Sequence, residues 1–279
     1  MPHASARLTK RIAGGFTLIA LAAASSAAFA DHSPALDRVS IWLGGYYADN
    51  DTTLGASSKD GSIRGHANLE DDLGFSKHKT VPRARMDFLL GDSQGFSFDF
   101  YRIDRSKTKT LTDNINFLGD NYSAMARVKG DLKFDFGSAD YHWWFGKEND
   151  VFGVGVGGAY FKVRTSLDAS ASLNDQSISG RTASSDSAWA PMLTLGWRHA
   201  FNDQWRMYAD ASGVKKNGGS LDGHIWNAAL GVEYFPWQNV GIGAEYGLTR
   251  IKLNQSKRDY NADLDMRLDG PSLFLRLRF

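Results

Sequence analysis

The chain has 279 residues, with 32 basic and 31 acidic side chains, a formal charge of +1 and no cysteine. That balance gives no reason to expect a nucleic-acid partner. The lack of cysteine excludes disulfides and thiolate metal sites, so an exported form of this chain must be stabilised by other means.

In chain order, the first thirty residues read as a signal peptide. Arg7, Lys10 and Arg11 give a positive start, and Ile12 to Ala24 is an apolar run interrupted by Gly14, Gly15 and Thr17. Ala28-Phe29-Ala30 then forms an A-x-A cleavage site before Asp31. Cleavage after Ala30 would leave residues 31–279, with 29 basic and 31 acidic side chains, a formal charge of −2. No cysteine follows the site, which excludes a lipoprotein anchor.

The remainder has no run of about 18 apolar residues, so helical membrane spans are not expected. It shows period-two alternation broken by turn residues. Ala84, Met86, Phe88 and Leu90 oppose Arg83, Arg85, Asp87 and Leu89. Phe96, Phe98 and Phe100 oppose Ser97 and Asp99. Trp189, Leu193, Leu195 and Trp197 oppose Met192, Thr194, Gly196 and Arg198. The row Trp205, Met207, Ala209 opposes Arg206, Tyr208, Asp210, and Trp226 to Tyr234 opposes Asn227 to Glu233. Val240, Ile242, Ala244, Tyr246 and Leu248 oppose Gly241, Gly243, Glu245, Gly247 and Thr249. At the end, Leu273, Leu275, Leu277 and Phe279 oppose Phe274, Arg276 and Arg278.

A soluble sandwich or lipocalin-like barrel also alternates, with its apolar face inward. The connections argue against it. One set is short (91–95, 146–150, 201–204 and 235–239), and the other is long and polar (50–79, 111–123, 169–184, 214–220 and 254–262). That asymmetry predicts an all-β, transmembrane, antiparallel up-and-down barrel with its short turns periplasmic. Strands are expected near 38–49, 80–90, 95–110, 124–146, 150–168, 184–201, 204–214, 221–235, 239–254 and 263–279, ten in all. Segment 62–75 would make twelve if it formed a hairpin, and eight is the other alternative. The shift from Phe134 and Phe136 to Tyr141, Trp143 and Phe145 predicts a bulge near Gly137. Trp143, Phe145, Trp197, Phe201, Trp205, Tyr234, Phe235 and Trp237 flank the short turns, where an aromatic girdle belongs.

These features together resemble a bacterial outer-membrane β-barrel protein, over essentially all of 31–279. The resemblance implies a Gram-negative outer-membrane location, contact with lipid and lipopolysaccharide, and a C-terminal strand read by the barrel-assembly machinery. Leu273, Leu275, Leu277 and Phe279 would carry that signal. The segment Leu69 to Gly74, LEDDLG, is similar to one in uncharacterised proteobacterial barrels. The resemblance is nearly silent on activity.

Function would then sit in the lumen. The inward set comprises Arg83, Arg85, Asp87, Asp99, Asp140, His142, Arg198, Arg206, Asp210, Glu233, Glu245, Arg276 and Arg278. Balanced charges in a narrow barrel predict mutual ion pairing, because unpaired buried charges are expensive. Two non-enzymatic readings follow: a narrow pore for ions or small polar solutes, and a plugged barrel that acts through its extracellular loops. A third is a lipid A or lipid hydrolase, built from Asp140, His142 and a serine such as Ser97 or Ser212. Arg198-His199-Ala200 lacks the serine of the H-x-S pattern of lipid A 3-O-deacylases. No catalytic residue, cofactor or metal ligand is assigned. Glu70-Asp71-Asp72 reads as a solvated loop run rather than a calcium site.

Overall fold

In the computed structural model, residues 33–60, 64–117, 120–173, 176–258 and 260–279 are described. The expected signal peptide lies outside the described residues. Eleven strands follow in order: β1 (Val39–Ser58), β2 (Arg64–Asn68), β3 (His78–Leu90), β4 (Gln94–Phe117), β5 (Asp120–Lys147), β6 (Asp150–Leu173), β7 (Gln176–Ala200), β8 (Trp205–Lys216), β9 (Leu221–Trp237), β10 (Val240–Ser256) and β11 (Tyr260–Arg278). Among the described residues there is no helix.

Each strand from β3 to β11 pairs antiparallel with the next, β3 pairs with β1, and β1 closes the ring against β11 from Ser40↔Arg278 to Ser58↔Tyr260. The result is a ten-strand barrel closed around its tight-turn level. Beyond it the β3–β4 ladder ends at Arg83↔Tyr101 and the β7–β8 ladder at Met192↔Val214, while β4 to β7 continue paired with one another. Val39 and Phe279 exchange both backbone hydrogen bonds at the seam, at 3.1 and 2.9 Å. The eleventh strand, β2, is an accessory that continues the wall beside β1 (Thr53↔Asn68 to Ser57↔Arg64) above the point where β3 leaves it. Segment 62–75 therefore adds no membrane-crossing hairpin, and neither twelve nor eight strands form the ring.

Tight turns join β3–β4, β5–β6, β7–β8 and β9–β10 at one end. At the other end, much of what reads as polar loop in sequence is strand. β4 and β5 pair as far as Phe117↔Asp120, and β6 and β7 as far as Leu173↔Gln176. These strands run to 28 residues in β5, against the roughly 9–11 that cross a bilayer.

The outer surface divides into two zones. Near the tight turns it is apolar: Phe96, Phe98 and Phe100 on β4, Phe152, Val154 and Val156 on β6, Leu193 and Leu195 on β7, and Leu273 and Leu275 on β11 are all exposed. Further along the same outward rows the side chains become charged. Arg102 pairs with Asp135, Asp135 also receives Arg164 Nη2 at 2.8 Å, and Lys133 lies 3.1 Å from Asp104. Arg250 and Lys252 both reach Asp265 at 3.1 Å.

The interior divides at the same level with opposite polarity. Inside the apolar band the inward residues are charged and aromatic. Beyond it they are apolar, and Ile103, Leu132, Phe134, Phe161, Ile225, Ile251 and Met266 are all buried. Near its tight turns the chain is thus a membrane-type barrel; beyond them the extended strands form a water-type half around an apolar core.

This inversion corrects the expected bulge. The pairings Phe100↔Gly137 and Gly137↔Tyr160 fall in unbroken registers, so β5 is regular at Gly137. Phe134 and Phe136 point inward, while Tyr141, Trp143 and Phe145 belong to the outward row. The apolar residues change face because the surroundings change, not because the strand slips. The one register shift recorded in these pairings lies between Val240 and Ile242 of β10.

Candidate functional site

Every lumen residue expected from the sequence sits on an inward row at the tight-turn half, and short contacts gather most of them. Arg85 of β3 donates two hydrogen bonds to Glu245 of β10, at 2.8 and 2.9 Å. Tyr208 of β8 donates a third to the same carboxylate at 2.7 Å. Arg83 forks onto Asp99 at 2.9 and 2.5 Å, and Arg198 onto Asp210 at 2.6 and 3.2 Å. Arg276 donates to Glu233 at 2.9 Å and to Ser40 at 2.9 Å, and Asp87 accepts from Ser40 at 3.0 Å and Ser97 at 2.8 Å. Fork geometry suits guanidinium and carboxylate, and shared partners leave few lone pairs without a donor.

One residue that sequence reasoning missed is Asp37. It precedes β1, so strand alternation assigns it no face. Residues 33–38 instead turn into the tight-turn mouth. Ala35 and Leu36 are buried with Val151 and Ala200, and the Ser33 hydroxyl donates to the carbonyl of Glu148. Asp37 then accepts from Arg206 at 2.6 Å and Arg276 at 3.3 Å, while Arg278 stands 4.0 Å away. Three arginines at this mouth converge on one carboxylate.

Aromatic rings fill the spaces between the ion pairs, and inward glycines give them room. A Cβ at Gly243 would fall 2.1 Å from Phe274, one at Gly231 2.3 Å from Tyr208, and one at Gly153 2.7 Å from Trp144. Trp42 stacks on Phe274 at 4.7 Å, and the Arg85 guanidinium lies 4.7 Å above Trp42. Arg278 lies 3.8 Å above Phe235. Such cation–π contacts add attraction without requiring water. Phe235 is buried in this layer, so it leaves the girdle to which its neighbours Tyr234 and Trp237 belong. The space left among these groups is about 100 Å³, room for roughly three waters.

Asp140 and His142 on β5 do meet a hydroxyl, though it belongs to neither Ser97 nor Ser212. His142 Nε2 lies 2.9 Å from Thr194 Oγ1 on β7, and Thr194 donates to Asp140 Oδ2 at 3.2 Å. His142 Nδ1 approaches Asp140 Oδ2 to 2.6 Å, out of line for a hydrogen bond. All three side chains are buried, and Trp144 stacks on the imidazole at 5.4 Å. Ser97 is engaged by Asp87, and Ser212 accepts from Asn227 at 3.0 Å.

The LEDDLG segment also departs from its sequence reading. Glu70 is buried, paired with Arg105 at 2.5 Å and accepting from the Thr52 amide at 2.8 Å. Asp71 faces Lys77 at 3.3 Å, and Asp72 accepts from the Asn68 amide at 2.7 Å. The three carboxylates diverge: Asp71 and Asp72 are exposed as the sequence reading expects, while buried Glu70 fastens the segment inside the barrel as a hook. Among the described residues no group of three ligating side chains could hold a metal ion.

No protein-family model matches the sequence, and no curated protein sequence matches it. Among solved structures, the chain is similar to the outer-membrane protease OmpT from Escherichia coli. The TM-score is 0.55 at 10% identity, covering 86% of this chain and 96% of that one. More distant likenesses include a Pseudomonas aeruginosa FadL homologue, with a TM-score of 0.38 at 14% identity, covering 88% of this chain and 93% of that one. The outer-membrane protein OprG from Pseudomonas aeruginosa gives 0.37 at 10% identity, covering 88% of this chain and all of that one (100%). At these identities the likeness to OmpT establishes the fold.

Proposed function

We propose that the protein is an integral outer-membrane barrel with a closed lumen, non-enzymatic, acting through the half that projects beyond the membrane. In this reading the tight turns face the periplasm, and the projecting half faces outward toward lipopolysaccharide and the surroundings. The observation that carries it is the sealing of the tight-turn mouth by Asp37 against Arg206 and Arg276. Above that seal, the inward charges are paired carboxylate to guanidinium. A conducting pathway needs mobile water and weakly held charges, whereas these charges are committed to one another. The plugged reading therefore has more support than the narrow pore for ions or small polar solutes.

A hydrolase would need a nucleophile that substrate can reach and a base free to take its proton. Thr194 is buried and donates to Asp140, and Trp144 stacks on its other partner, His142. That arrangement supports a structural bond between β5 and β7. The likeness to a protease supports no more than the shared fold.

Conductance of the refolded protein in planar bilayers tests the proposal, with heat-shifted gel mobility to check folding. A folded, electrically silent barrel is expected. Discrete, ion-selective steps from the wild-type chain would overturn it.

A further inference from the structure

The water-type half encloses a cavity of about 570 Å³ above the polar layer. That lies within the roughly 300–1,000 Å³ of small-molecule sites. Leu54, Leu132, Leu253 and Leu264 line it from four different wall strands, and the hook contributes Leu69 and Phe75. The hook is anchored by its own buried ion pair. Glu70 meets Arg105, whose guanidinium also donates to Thr52 Oγ1 and to the Ser76 carbonyl, both at 2.8 Å. LEDDLG therefore has a structural logic. Glu70 fastens the segment, and Leu69 and Phe75, on either side, present apolar surface to the cavity.

The charged groups on the lining define what would fit. Asp186 stands on the inward row of the lining, no lysine or arginine lines the space, and Asp131 and Asp263, next to inward Leu132 and Leu264, point to the outer face. Asp186 is held by Lys257 at 2.9 Å, so that lysine is already engaged. A carboxylate-headed ligand would give up its hydration with no unengaged cation on the lining to receive it, and with Asp186 nearby.

We propose that this chamber is a binding site for an uncharged, apolar small molecule, and that the hook forms one of its walls. Burial of hydrocarbon against the leucines drives binding, and the uncompensated desolvation of a charged head discriminates against anionic amphiphiles. The polar layer lies beneath the site, so the ligand enters and leaves through the projecting half.

The test is methyl NMR of leucine-labelled protein in lipid nanodiscs, titrated with 1-decanol and, separately, with decanoate at alkaline pH. Saturable shifts of Leu54, Leu132, Leu253 and Leu264 with decanol are expected. The lipid-facing Leu193, Leu195 and Leu275 should change only in proportion to added alcohol. Decanoate should bind about tenfold more weakly or worse. Glu70→Gln, which keeps the lining leucines but loosens the hook, should weaken decanol binding. Chamber methyls that merely track the lipid-facing ones would overturn the site. Equal binding of alcohol and acid would overturn the charge discrimination, and unchanged binding by a folded Glu70→Gln variant would overturn the hook's role.

Discussion

Arg85 and Glu245 meet in a two-bond fork although β1 and β11 stand between their strands. The fork reaches over Trp42 and Phe274, which project inward from those two intervening strands and stack on each other. One ion pair thus ties four neighbouring strands together across their concave face. Removing Arg85 leaves buried Glu245 with Tyr208 and, at 3.8 Å, Arg83, and breaking a buried pair typically costs about 3–5 kcal/mol. Arg85→Ala should destabilise the barrel by that order in urea unfolding from liposomes. Replacing both members by Leu should recover much of the loss.

The outward apolar rows carry a complementary prediction. Leu275 lies in the middle of the exposed row of β11. Leu275→Arg should cost about 2–4 kcal/mol, the usual depth-dependent penalty for a cation facing lipid. Lys252→Leu, on the charged zone of β10, should change stability by much less. The same unfolding assay measures both.

Glycine packing can be tested one position at a time. A side chain at Gly243 would collide with the Phe274 ring, whereas a Cβ at Gly65 meets nothing within 4 Å. Gly243→Val should displace Phe274 from Trp42 and lower stability by about 1–3 kcal/mol, as overpacking does. Gly65→Ala should be nearly neutral. Near-ultraviolet circular dichroism of the Trp42 and Phe274 stack would report the displacement.

Asp37 seals the tight-turn mouth, so its loss should open the seal rather than unfold the wall. Asp37→Ala leaves Arg206 and Arg276 without their shared carboxylate, although Arg276 retains Glu233. Anion-selective current through a variant with the wild-type heat shift is expected in planar bilayers. A variant as silent as the wild type would place the closure higher in the lumen.

Much of the wall was legible in the sequence because alternation reports which residues share a face. Leu273, Leu275 and Leu277 opposite Arg276 and Arg278 could be sorted without coordinates. Alternation does not say which face is wet. Within the apolar band the greasy row faces out, so equating apolar with lipid-facing worked for Phe96, Phe98 and Phe100. Beyond it, Phe134 and Phe136 obey the opposite rule with no break in register, and a true inversion looked like a slip. Asp37 and Glu70 were illegible for a different reason. Both lie outside the long strands, and their partners Arg276 and Arg105 are 239 and 35 residues away.

The change of polarity at the level of Gly137 and Tyr160 fixes how deep the molecule is immersed. Sinking by one pleat would begin to carry Arg102 and Arg164 into hydrocarbon, each at up to about 2–4 kcal/mol near the midplane. Rising by the same distance would lift Phe100 and Trp189 into water and give up the burial of large rings. Because both zones are written into β4, β5, β6, β10 and β11 as matched rows, the barrel holds its own draught, and its projecting half stands at one height above the lipid.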